Sequence, residues 1–121
     1  MAGITLAQAS TVVLAAIAKA RETKCAPLAI AVLDAWGALG MGMGTRAFAK
    51  RVAEQPGQQA FFGALYAASE GRVFPAPGGV LIRDGAGTLL GAIGISGDVS
   101  DKDEACALAG ITGAGLTGET G

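Results

Sequence analysis

The order of segments along the chain predicts an α+β fold, in which an antiparallel sheet carries helices packed on a face. Three observations lead there. Two pairs of apolar segments are joined by tight turns, and such hairpins require antiparallel pairing. Helical segments flank those pairs instead of alternating with single strands, which argues against a parallel, Rossmann-type sheet. The 121 residues suffice for one domain, expected over 1–111, with a flexible glycine-rich tail over 112–121.

The elements follow in order. Thr5 and Gln8 have capping-box spacing, so a helix starts there, with Leu6, Ala9, Val13, Ala16, Ile17 and Ala20 on one apolar face. Arg21, Glu22 and Lys24 form its polar end before Pro27. Leu28–Leu33 is short, wholly apolar and bounded by Pro27 and Asp34, the pattern of a buried strand. A turn at 34–37 leads to a second strand over Ala38–Met43, although Gly40, Gly42 and Gly44 weaken it. Thr45–Ala53 reads as a helix with Phe48 and Val52 on one side and Arg46 and Lys50 on another. Pro56-Gly57 separates it from a helix over Gln58–Ser69. After the prolyl segment 75–79 comes the clearest hairpin, Val80–Arg83 and Thr88–Ile95 around Asp84-Gly85-Ala86-Gly87. Ser100 and Asp103 predict a capping box at the start of the last helix.

Composition narrows the function classes. Histidine is absent, which removes His-based triads and imidazole metal ligands. Nine Lys and Arg against ten Asp and Glu, in no block longer than two like charges, argue against nucleic-acid or polybasic membrane binding. The mean hydropathy is +0.49, yet no stretch approaches the roughly 18 apolar residues of a membrane span. That apolar surface is expected in a homo-oligomer interface. The Leu14–Ala20 run lacks the basic flank of a signal peptide, so the chain reads as cytoplasmic. In that compartment Cys25 and Cys106 read as small buried hydrophobes, a pairing between them being the alternative.

Several residues carry candidate chemistry. Arg46 and Lys50, one helical turn apart, have the spacing of a carboxylate clamp, the alternative being a solvated face. The Met41–Gly44 segment and Pro77, Gly78 and Gly79 are placed to line a concavity beside them. Met41 and Met43, on one strand face, and Tyr66, Cys25 and Cys106 are conceivable metal or haem-iron ligands, with ordinary packing the alternative. Asp34, Glu104 and Lys50 are the candidate acids and bases. The glycines of 91–97 suit an anion cradle or close sheet packing, and Asp98, Asp101, Asp103 and Glu104 already supply negative charge there.

Four motifs in sequence, Asp34-Ala-Trp-Gly-Ala-Leu39, Pro77-Gly-Gly79, Gly91-Ala-Ile-Gly-Ile-Ser-Gly97 and Asp103-Glu-Ala-Cys-Ala-Leu-Ala-Gly110, resemble the GlcG/HbpS family, also called DUF336. The resemblance covers nearly the whole chain apart from the tail. It implies a profilin-like sandwich with a five-stranded antiparallel sheet and homo-oligomers of four to eight subunits. It also implies haem, or a setting in organic-acid catabolism. Haem binding through histidine has no residue to carry over here. The family's middle-helix lysine corresponds to Lys50. The expected function is therefore an oligomeric small-ligand-binding protein taking a small organic acid or a tetrapyrrole, with no metal site. A cofactor-independent cytosolic enzyme of organic-acid catabolism, moving protons through Lys50, Asp34 or Glu104, is the alternative. A third reading is an accessory protein that only assembles.

Overall fold

The computed structural model describes residues 3–35, 43–68, 70 and 77–121. Helix α1 (Leu6–Glu22) begins as predicted, with Thr5 Oγ1 accepting the Gln8 amide at 3.1 Å and Gln8 Oε1 accepting the Thr5 amide at 2.9 Å. Strand β1 (Ala29–Asp34) follows. Helix α2 (Thr45–Glu54), a single 3-10 turn (Pro56–Gln58) and helix α3 (Gln59–Ala68) lead to the hairpin β2 (Gly79–Arg83) and β3 (Leu89–Ser96). Helix α4 (Ser100–Gly113) and strand β4 (Thr117–Glu119) complete the chain.

The sheet is antiparallel with order β1-β3-β2-β4. Its register places Ile30 opposite Ile95, Val32 opposite Ile93 and Val80 opposite Ile93, so β-branched side chains share one face. Helices α1 and α4 cover that face. Val12 and Ala16 of α1, Cys106, Ala107 and Ile111 of α4, and Val80, Ile82, Ile93 and Ile95 of the sheet form the core. Small residues let the two helices touch. A Cβ on Gly110 would lie 2.5 Å from the Val12 carbonyl oxygen, so this crossing excludes even alanine. Gly110 and Gly113 of α4 and Ala15 and Ala16 of α1 are the small residues of this crossing.

Three expectations change. The C-terminal residues expected as a tail extend α4 to Gly113 and then form β4, which pairs with β2. Glycine content there reflects space: Gly118 stands opposite Ile82, and a Cβ on it would lie 2.7 Å from Leu108 Cδ2. Arg83 and Glu119 form an ion pair across the same strands. Helix α4 has Val99 at its N-cap without a side-chain cap, so the Ser100 capping box does not form. Asp98 serves the loop instead, its Oδ1 accepting the Val99 amide at 2.7 Å while its own amide donates to Asp103 Oδ1 at 3.1 Å. Finally, four strands occur among the described residues where five were expected. The predicted second strand, with its turn and Met41, lies almost wholly outside the described residues, and Met43 sits in a bend ahead of α2.

Candidate functional site

Helix α2 is fastened by its first turn. Thr45 Oγ1 accepts the Gly79 amide at 2.8 Å, and the Ala47 amide donates to the Thr120 carbonyl at 3.0 Å. Arg46 reaches α4, where its Nε lies 2.9 and 3.0 Å from the two carboxylate oxygens of Glu104 and its Nη2 pairs with Asp101. Hydrogen bonds to Asp101 and then Glu104 hold the guanidinium above its ordinary pKa. The arginine of the predicted clamp is thus paired within the chain. Glu104 is 8% exposed and has its carboxylate turned to that arginine, an ordered ion pair rather than a free acid or base. Further along, Phe48 and Phe62 pack edge to face at 5.1 Å and join α2 to α3.

Two open cavities of nearly equal size lie on either side of β1. The first, of about 600 Å³, contains the predicted Pro77, Gly78 and Gly79 together with Thr45. Gly78 has φ +133, and its carbonyl accepts the Ile95 amide at 2.9 Å; a Cβ there would lie 2.6 Å from the Ile95 oxygen. The polar lining consists of Ser96, Ser100, Thr45 and the two carboxylates of Asp98 and Asp103. Asp103 is 4% exposed. The Ala26 amide, at 2.8 Å, and then the Val99 amide hold the Asp98 carboxyl below its usual range. This cavity is acidic, and it repels anions.

The second cavity, of about 610 Å³, is a groove between the C-terminal half of α1 and the start of β1. Val13, Ile17 and Ala20 form one wall and Leu28 and Ile30 the other. Helix α1 ends at Glu22, and Lys24 turns the chain with φ 54. Arg21 and Lys24 both line the groove, and among the described residues no acidic one does. Cys25, half-buried, also lines the groove, and its Sγ lies 3.3 Å from Thr23 Oγ1 and 3.8 Å from Cys106 Sγ. Burial first, then the contact with Cys25, pushes the Cys106 thiol up to about 11.

The predicted residues are only partly brought together. Pro77, Gly78 and Gly79 share a cavity, whereas Arg46, Lys50, Asp34, Glu104 and Tyr66 line neither. Lys50 and Tyr66 are exposed on α2 and α3, and Asp34 is exposed at the end of β1. Sequence reasoning missed Arg21, Lys24 and Cys25 as a group. The signal available was a pair of cations and a cysteine directly after an apolar helical face, which also reads as an ordinary polar helix end.

The model of the family described as haem degrading protein HbpS-like matches residues 35–112. Among solved structures, PduOC in complex with haem superposes with a TM-score of 0.78 at 22% identity, covering 94% of this chain and 96% of that one. ORFY of Klebsiella pneumoniae, from family DUF336, gives 0.77 at 24% identity over 95% and 92% of the two chains. A variant of HbpS from Streptomyces reticuli gives 0.70 at 21% identity over 93% and 87%. These likenesses establish a shared fold. No curated protein sequence matches the chain. No helix among the described residues is long and apolar enough to cross a membrane.

Proposed function

The chain belongs to the HbpS-like family, and from that premise we propose that it binds a tetrapyrrole, haem in the first instance, in the groove between α1 and β1. The observation that carries this reading is the groove's lining: apolar walls, two cations and, among the described residues, no acid. A volume of about 610 Å³ falls within the roughly 300–1,000 Å³ of small-molecule sites. A planar apolar ring with carboxylate arms matches it, with Val13, Ile17, Leu28 and Ile30 against the ring and Arg21 and Lys24 facing the carboxylates. PduOC, which has this fold, is solved with haem.

The donor chemistry also fits. Thiolate is an established axial ligand of haem iron, and Cys25 is among the lining residues. Bound haem would supply a redox-active iron, and the protein's own groups would hold the ring, neutralise its carboxylates and offer the sulfur. A small organic acid would use the same two cations but leave the apolar walls unfilled, so the larger ligand is favoured. We also propose self-association. The outward side of β1, with Ala29 and Ala31 exposed and Leu33 49% exposed, is an apolar surface suited to a second copy.

Haemin titration tests the ligand reading. The wild-type protein is expected to sharpen and shift the Soret band, and sedimentation velocity of the same sample reads its assembly. Reversing both cations, Arg21→Glu with Lys24→Glu, is expected to weaken binding at least about tenfold, equivalent to about 1.4 kcal/mol. An unchanged affinity in that variant overturns the assignment to this groove.

A further inference from the structure

We propose that Cys25 and Cys106 form a thiol–disulfide couple that switches the groove's sulfur on and off; the switching rests on the ligand reading above, the couple does not. The two sulfurs come from residues 81 positions apart and stand 3.8 Å from one another. A disulfide is about 2.05 Å long, so closure needs an approach of roughly 1.8 Å, within reach of side-chain rotation and a small shift of the short segment that follows α1. The pair is asymmetric. Cys25 is half-buried in the groove wall and open to a small oxidant, whereas Cys106 is 1% exposed and sits behind it on α4. The more accessible sulfur therefore reacts first and the buried one resolves it.

With hydrogen peroxide as oxidant, the Cys25 sulfur attacks one peroxide oxygen, the O–O bond breaks, and Cys25 sulfenic acid and one water result. The Cys106 sulfur then attacks the Cys25 sulfur, expels the hydroxyl as a second water and leaves the disulfide. Two thiols lose two electrons and two protons, and one peroxide is reduced to two waters. A reducing thiol reverses the step. In the disulfide the Cys25 sulfur is drawn toward α4 and has no thiolate to offer to iron.

The experiment treats the full chain with hydrogen peroxide, without haemin, and reads it by mass and peptide mapping. Because the chain has two cysteines, loss of both thiols, a mass lower by two hydrogens and a Cys25–Cys106 cross-link within one chain are expected, all reversed by dithiothreitol. In Cys106→Ser the reaction is expected to stop at a sulfenic acid on Cys25, captured by a 1,3-dione. Sulfinic acid on Cys25 without a cross-link, or a disulfide between chains, overturns the couple. Haemin titration of the reduced and oxidised wild type then reads the switch. At least tenfold weaker binding after oxidation is expected, restored in full by dithiothreitol. Equal binding in the two states overturns the switch. Reduced protein that takes no haemin overturns the ligand reading and the switch with it, whereas a missing cross-link in protein that binds haemin overturns the couple alone.

Discussion

The two cavities beside β1 have almost the same volume, about 610 and about 600 Å³, and opposite electrostatics. The groove toward α1 has Arg21 and Lys24 in an otherwise apolar lining. The cavity toward Gly78 has Asp98 and Asp103 among hydroxyls. Size alone would not choose between them. Charge does, because an anionic ligand is attracted to one and repelled by the other, and more strongly where water is reduced. Ile30 lines both, and Asp98 ties them as well: it lines the acidic cavity while its Oδ2 accepts the amide of Ala26, which lines the groove.

Breaking the wall common to the groove and the core has the largest expected effect. In Gly110→Ala the new methyl would meet the Val12 carbonyl and Ala16, forcing α1 away from α4. A loss of about 1–3 kcal/mol is expected from overpacking, read as a lower urea midpoint, with weaker haemin binding because α1 is one wall of the groove. A stability within about 0.5 kcal/mol of wild type would show that the helices separate freely. A smaller effect is expected at the acidic cavity. Thr45→Val deletes the oxygen that accepts the Gly79 amide, costing about 1 kcal/mol while haemin affinity stays within about twofold. A large loss of haemin affinity there would move the ligand to the wrong side of β1.

The smallest effect lies in the connection between the cavities. The Asp98 carboxyl is held below its ordinary 3.8 by the Ala26 amide and then the Val99 amide. A lowered value in the folded state contributes stability that is present above the unfolded value and is lost as pH falls through the folded one. Asp98→Asn is therefore expected to melt below wild type at neutral pH, with the gap closing as the pH drops below about 4. Thermal denaturation across that range checks it, and a gap that stays constant to low pH would show that the charge is not what ties the two loops.

What was legible in the chain was local. The Thr5–Gln8 cap acts over three residues, and the β2–β3 hairpin follows from a turn and two apolar runs. What was not legible came from distance. Glycine at 118 looked like disorder because composition does not reveal that a neighbouring Leu108 needs the space. Arg46 and Lys50 looked like a clamp because helical spacing cannot show that Glu104, 58 residues away, captures the arginine.

The sequence by itself determined the α+β class, most of the elements and the absence of any histidine chemistry. It did so because caps, turns and hydrophobic periods are interactions between near neighbours. Tertiary structure alone decided that the last residues close the sheet, that Arg21, Lys24 and Cys25 share one groove, and that Cys25 meets Cys106. Those pairings join segments far apart in the chain, and their partners are set by the packing of α1 against α4 and the sheet, which no local pattern encodes.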